Sequence, residues 1–312
     1  MPDRLASRPI PIVAIVGPTA VGKSDLSLDL AERLGGEVVN TDSMQLYRGM
    51  DVGTAKLALA ERRGVPHHLL DVLDVTEPAT VAEFQGWARD AIAECRSRGV
   101  VPILVGGSAL YTRAVVDRFE FPGTDPSVRA RLEAELAEVG PAVLHRRLGE
   151  VDPEAAERIL ASNGRRVVRA LEVIELTGRP FSAALPRLEY ADPSTVQVGI
   201  DCPRPVLAER IELRVRRMWE SGLVEEVRRL EERGLRDGRT ASRALGYQQV
   251  LDLLAGECTE QEAFDATVQG TRRFARKQDS WFRKDPRIGL VPRDAEDRVD
   301  QAVALVEGAQ TA

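Results

Sequence analysis

The stretch Ile10-Pro-Ile-Val-Ala-Ile-Val16, Gly17-Pro-Thr-Ala-Val-Gly-Lys-Ser24, Asp25-Leu-Ser-Leu-Asp-Leu-Ala-Glu-Arg-Leu34 decides the reading of the fold. Residues 10–16 are a short, apolar, β-branched run that stops at a glycine, as a strand buried on both faces of a parallel sheet does. Residues 23–34 repeat leucine every four positions, at Leu26, Leu30 and Leu34, so they form a helix with one apolar stripe. Gly35-Gly36 ends it. Between strand and helix, residues 17–24 match G-x-x-x-x-G-K-[ST] at every fixed position, in the context that motif requires. Its glycines let the loop curl so that amides point inward, and the helix adds its positive N-terminal end. Lys23 brings a mobile positive charge, and the Ser24 hydroxyl is suited to Mg²⁺. A chance match in a glycine-rich turn is the bland alternative, and it leaves the flanking strand and helix unexplained. The loop is expected to hold a di- or triphosphate.

Working outward, EVVNTD (37–42) reads as a second strand ending at Asp42, residues 81–98 as a helix, and VVPILVGG (100–107) as a further buried strand. This alternation gives a parallel sheet. From about 118 to 195 strand-like runs vanish. Arg/Glu/Ala-rich helical segments follow, punctuated by Pro122-Gly123, Gly140-Pro141, Asp152-Pro153 and Gly178. VQVGI (196–200) restores a strand, and long helical segments follow at 204–233 and 260–284. The expected fold class is α/β: a P-loop NTPase-like parallel-sheet core at 1–117 and 196–290, with an all-helical insertion at 118–195. Residues 291–312 read as a C-terminal tail.

Composition bounds the partners. The 312 residues carry 43 Lys+Arg against 49 Asp+Glu, a formal charge of −6, which disfavours a general nucleic-acid coat. Locally the balance reverses. Residues 272–287 hold seven basic side chains against Asp279 and Asp285, a local +5, with Phe274, Trp281 and Phe282 interleaved. Arg165, Arg166 and Arg169 fall within one helical turn opposite Val167, Val168 and Leu171, a second basic face. A solvated helix face is the usual explanation of such runs, and nucleic-acid contact is the sharper one. Cys95, Cys202 and Cys258 lie far apart without a C-x-x-C pair, so neither a disulfide framework nor a cysteine-type zinc site is expected. The longest apolar run, Ile10 to Val16, is too short to span a bilayer, and the residues before it lack a signal-peptide apolar region. A cytoplasmic location is expected.

The motif does not name the reaction. Nucleotide-hydrolysing machines add an aspartate after an apolar strand. Here only Asp42 qualifies, and its position allows a metal ligand, a general base or a turn cap. Its place at the carboxyl end of a strand, in the crevice of an α/β sheet, raises the functional reading above the capping one.

Taken together, GPTAVGKS (17–24), NTDSMQLYRGMDVGTAK (40–56), PHHLLD (66–71) and VGGSALY (105–111) resemble the tRNA dimethylallyltransferases. The likeness continues in order through RRVVRALEVIELTG (165–178), ERIELRVRRM (209–218), RALGYQQ (243–249) and RKQDSWFR (276–283), nearly the whole chain to about residue 290. The resemblance implies transfer of a five-carbon allylic group from dimethylallyl diphosphate to N6 of adenosine 37, beside the anticodon of tRNA, with Mg²⁺ and without a membrane. It implies a monomer. It assigns catalysis to Asp42 as general base, with Lys23, Ser108 and Arg214. It assigns the diphosphate to Gly17, Pro18, Thr19, Ala20, Val21, Gly22, Lys23 and Ser24, and the metal to Ser24. The tRNA contacts it implies are Asp42, Ser43, Met44, Gln45, Ser108, Arg129, Arg165, Arg166, Val167, Val168, Arg169, Arg243, Ala244, Leu245, Gly246, Tyr247, Gln248, Arg276, Lys277, Gln278, Asp279, Ser280, Trp281, Phe282 and Arg283. By its sequence setting alone, Arg214 would be a surface arginine paired with Glu212 or Glu209.

The chain departs from the family pattern at a few positions. Ser108 and Ser280 stand where the family has Thr, which keeps a hydroxyl. Asn163-Gly164 replaces an Asp-Pro-like approach to the arginine helix, so a looser junction is expected there. His67 and His68 carry no assigned role beyond packing. The competing readings are a P-loop small-molecule kinase, prenyl transfer to free AMP, and a nucleotide-gated RNA-binding protein without catalysis. No D-D-x-x-D cluster occurs, which sets aside the isoprenoid chain-elongating synthases.

Overall fold

A computed structural model describes residues 9–119, 121–181 and 188–309. The parts of the expected core at 1–8, insertion at 120 and 182–187, and tail at 310–312 lie outside the described residues. Strands β1 (Ile12–Val16), β2 (Gly36–Asn40), β3 (His67–His68), β4 (Val101–Val105), β5 (Thr195–Asp201) and β6 (Ile288–Pro292) form one sheet in the order β3-β2-β4-β1-β5-β6. Every neighbouring pair is parallel. The apolar run that predicted β1 has its reason here. Ile12 and Ala14 join one buried cluster while Val13 and Ile15 join another, so both faces of the strand are covered.

One cluster receives helices α1 (Lys23–Leu34), α8 (Arg204–Glu220), α11 (Glu260–Phe282) and α12 (Arg298–Ala309). The other receives α2 (Val81–Ser97), α3 (Ala109–Val116), α9 (Leu223–Glu231) and α10 (Tyr247–Leu254). The described residues up to Val116 and from Tyr190 onward make one compact unit, and Asp117–Glu189 make another. The second unit is built from α4 (Pro126–Val139), α5 (Pro141–Val151), α6 (Pro153–Arg158) and α7 (Gly164–Thr177) around Leu132, Leu144, Leu148, Val167 and Leu171.

Four expectations need correction. Residues 190–195, expected in the insertion, belong to the sheet unit: the Ala191 N–H donates to the Val116 carbonyl at 2.9 Å, and β5 begins at Thr195. Residues 291–309, expected as a tail, continue β6 along β5 and form α12, whose Ala302, Val303 and Val306 are buried. The signal was present: Val299, Ala302, Val303 and Val306 recur at i, i+3, i+4 and i+7, the apolar stripe that α12 buries. The segment 204–233 is two helices, because Gly222 turns left-handed (φ 89°) between them. The junction at Asn163-Gly164 is not loose: the Asn163 side chain accepts the Arg166 N–H as a helix cap, and a Cβ on Gly164 would sit 2.8 Å from Leu136.

Candidate active site

The phosphate loop leaves β1 and enters α1 with positive φ at Gly17 (143°), Ala20 (66°) and Gly22 (106°). Successive reversals of this kind turn amides toward one point and make an anion cradle. Lys23 folds back over the loop, donating from Nζ to the carbonyls of Gly17 at 2.9 Å and Pro18 at 2.8 Å. Two distant helices brace it. Gln278 on α11 accepts the Thr19 N–H (2.9 Å) and donates to the Gly107 carbonyl (2.7 Å), while Arg210 on α8 donates to the Ala20 carbonyl (2.8 Å). That bracing explains Gly107 after β4, and the close approach of Thr41 explains Gly106. A Cβ on Gly107 would lie 2.3 Å from Gln278 Nε2, and one on Gly106 would lie 2.2 Å from Thr41 Oγ1.

Asp42 stands two residues beyond the end of β2, not within it. Asn40 ends the ladder: its Oδ1 accepts the Asp42 N–H (2.8 Å), and its Nδ2 donates to the carbonyls of Asp42 (3.0 Å) and Leu69 (2.9 Å). Asp42 Oδ1 accepts the Met44 N–H at 2.9 Å. One carboxylate oxygen therefore makes a turn cap, and the capping and functional readings coexist on one side chain. Arg214 does not pair with Glu212, which instead takes Arg216 and Arg272. It turns inward and donates to the Thr54 carbonyl at 2.9 Å. Lys23, Asp42 and Arg214 thus form one charged group. Burial, and then the nearby Arg214, lower the Lys23 ammonium from 10.5 to about 7, with Asp42 opposing. Burial likewise depresses Arg214 against the pull of Asp42.

Two cavities meet at this group. The larger, about 840 Å³, is lined by Thr19, Lys23, Ser24, Asp42, Lys56, Arg210, Arg214 and Arg217 among others. The smaller, about 360 Å³, is lined by Asp42, Ser43, Met44, Ser108, Arg243, Ala244 and Leu245 among others. Thr19, Asp42, Thr54, Arg214, Met218, Phe274 and Gln278 border both. One chamber is rich in cations around the phosphate loop, and the other holds the segments at 42–44 and 243–245.

The remaining expected contacts divide. Arg165, Arg166, Arg243, Gln248, Arg276, Lys277, Ser280 and Arg283 are exposed, and so are Phe274 (43 %) and Trp281 (53 %), which are not core aromatics. Gln45 is half-buried and donates to the Thr54 carbonyl, and Gly246 precedes α10 as its cap. Half-buried Phe282 ends α11, and Asp279 accepts from Arg283 at 2.9 Å. Others are used up inside the protein. Val167 and Val168 are core residues of the helical unit. Arg129 and Arg169 both pair with the fully buried Glu172, and Arg169 also donates to the Pro122 carbonyl at 2.6 Å. Tyr247 is buried with its hydroxyl on Glu226, so its side chain presents no surface.

Arg210 and Arg217 were missed, yet their signal was present: with Arg214 they recur at i, i+4 and i+7 on α8 and share the cavity wall. Glu226 carried no such signal. For a divalent cation, the cradle offers Ser24 Oγ beside incoming phosphate oxygens, a hard oxygen set that suits Mg²⁺, which keeps several waters.

A phosphate cradle at the switch point of a parallel sheet, walled by arginines and joined to a second chamber, defines a P-loop enzyme of the group-transfer class. Residues 45–285 match the family described as IPP transferase. A tRNA dimethylallyltransferase of Nocardioides is 66% identical over 95% of this chain and 96% of its own length. A solved tRNA isopentenylpyrophosphate transferase of Bacillus halodurans superposes with a TM-score of 0.71 at 41% identity, covering 97% of each chain. A eukaryotic dimethylallyltransferase acting on tRNA gives 0.82 at 26% identity, over 95% of this chain and 78% of that one. The chain belongs to the IPP transferase family.

Proposed function

We propose that the protein transfers a dimethylallyl group from dimethylallyl diphosphate to N6 of adenosine 37 in tRNA, acting as a monomer in the cytoplasm. The observation that carries this reading is the pair of chambers meeting at Asp42 and Arg214. A kinase also joins two substrate sites, but its donor brings an adenine that needs a pocket beside the phosphate loop, whereas an allylic diphosphate needs none. A transferase whose donor is an anionic diphosphate and whose acceptor is an extruded base needs two openings that converge on one carboxylate. Relatives that act on tRNA support the acceptor class.

The diphosphate enters the cationic chamber, held by the loop amides, Lys23 and Arg214. The allylic chain lies toward Met218 and Phe274, which border both chambers and keep water from the electrophilic carbon. Adenine enters from the other side past Ser108 and the 243–245 segment. As N6 attacks the allylic carbon, the carbon–oxygen bond breaks and its electrons leave with diphosphate. The N6 proton passes to Asp42, needed because that amine's lone pair is delocalised into the ring. Lys23 and Arg214 stabilise the charge developing on the leaving oxygen. Ser24 would hold Mg²⁺, which supplies further charge neutralisation of the diphosphate.

The assay is direct. Purified protein, Mg²⁺, labelled dimethylallyl diphosphate and unmodified tRNA are expected to place label on adenosine 37 and release diphosphate. Unlabelled tRNA, together with ATP-dependent phosphorylation in a metabolite screen, would replace this reading with the kinase.

A further inference from the structure

At the opposite end of β2 from the cradle, three side chains from three elements converge. Glu37 Oε2 (β2) lies 2.7 Å from His68 Nε2 (β3) and 3.7 Å from Cys95 Sγ (α2), and Sγ lies 3.6 Å from His68 Nε2. Tetrahedral zinc, with bonds of about 2.3 Å to sulfur and about 2.0–2.1 Å to nitrogen or oxygen, separates its ligands by about 3.5 Å at the sulfur edges and about 3.3 Å at the nitrogen–oxygen edge. Both sulfur edges already stand at that spacing, and the third needs an opening of about 0.6 Å. We propose that Glu37, His68 and Cys95 form a binding site for a zinc-class divalent cation, with solvent as the fourth ligand. The donor set of one thiolate, one imidazole and one carboxylate suits a borderline cation and not magnesium. It is therefore distinct in chemistry from the cradle, and it lies about 16 Å away along the strand.

Arg98 is the group that must be reconciled with a cation here. Its Nη1 and Nη2 each donate to Glu37 at 2.7 Å, the second to the same Oε2 that faces His68. The Arg98 side chain is 43 % exposed, so Nη2 has a path to solvent. Nη1 can stay on Oε1 while Oε2 ligates, an outer contact that orients a carboxylate ligand. Without the cation, Arg98 and His68 satisfy the buried carboxylate. With it, the edge strand β3 is pinned to β2 and α2. Directly after β3 the chain takes left-handed backbone at Leu69 and Asp71, and Asp71 pairs with Lys56 in the wall of the larger cavity.

The test uses the full chain stripped of metal and titrated with Co²⁺, followed by Zn²⁺. A near-ultraviolet thiolate-to-cobalt band saturating at one equivalent and displaced by Zn²⁺ is expected. Cys95→Ser should abolish the band and Cys202→Ser should leave it. His68→Gln should weaken binding about tenfold or more. Arg98→Ala, which removes the competitor for Oε2, should tighten it. Zn²⁺ should raise the melting temperature of the unaltered protein by a few degrees and that of His68→Gln by less. Absence of the band, or a band that survives Cys95→Ser, overturns the site. Should Cys95→Ser fail to fold, unchanged affinity in both His68→Gln and Arg98→Ala overturns it equally.

Discussion

Asp42 and Lys23 face each other across one small volume, and their chemistry separates cleanly by substitution. Asp42→Ala removes the proton acceptor while leaving the cationic chamber intact. Turnover is expected to fall by about 10²-fold or more, with tRNA affinity nearly unchanged in a filter-binding titration. Equal turnover would remove Asp42 as base. Lys23 titrates near neutrality because burial and Arg214 disfavour its charge. A bound diphosphate favours that charge, so binding above pH 7 must draw a proton from solution. Diphosphate affinity is therefore full below about pH 7 and falls as pH rises, until the raised pKa of the complex is passed. Calorimetry of dimethylallyl diphosphate binding in buffers of different ionisation heat should find about one more proton taken up by the unaltered protein than by Lys23→Ala at pH 8.5, and little difference at pH 6. These two residues stand within short motifs and were legible. The turn that aims Asp42 was not, because Asn40 ends β2 through side-chain bonds that no periodicity encodes.

Among the elements, the segment 51–54 shows how loops without secondary structure are set. Glu226 on α9 accepts the amides of Asp51 (3.1 Å), Val52 (2.7 Å) and Gly53 (3.1 Å), and the Tyr247 hydroxyl at 2.5 Å. Gly53 lies against the Tyr247 ring, where a Cβ would approach to 2.4 Å. The segment then offers the Thr54 carbonyl to Arg214. Glu226→Gln turns an amide NH₂ toward N–H or O–H donors and strands at least one of them. It is expected to lower kcat/KM by about tenfold or more and the melting temperature by several degrees. Unchanged kinetics would release Arg214 from this support. On α7 the arginines split by neighbour. Arg165→Ala with Arg166→Ala should weaken tRNA binding and flatten its salt dependence while stability holds. Arg169→Ala removes one partner of buried Glu172 and should lower the melting temperature, read by calorimetry. Sequence spacing placed all three on one turn. It could not tell that Glu172 captures one of them, since Arg129, the other partner, is 43 residues away.

For the molecule as a whole, the C-terminal segment is the clearest test of what completes the sheet. Removing residues 288–312 strips β6 from β5 and takes Val291, Ala302, Val303 and Val306 out of the core that backs β1. A loss of roughly ten degrees or more in melting temperature is expected, whereas a true tail would cost nothing. The overall charge of −6 describes the surface poorly, because Arg273, Arg276 and Lys277 of the +5 run are exposed on α11 while Gln278, beside them, faces inward to hold the phosphate loop. No helix among the described residues is long and apolar enough to cross a membrane. Contiguous patterns alone were sufficient for the strand, loop and helix at 12–34, the α/β class and the phosphate cradle, since each arises from neighbours within a turn or a strand. The convergence of Asp42 with Arg214, the bracing by Gln278 and Glu226, the two-chamber cavity, and the Glu37–His68–Cys95 cluster appear only in the folded chain. Each joins residues tens to hundreds of positions apart, and only packing brings such side chains within hydrogen-bond reach.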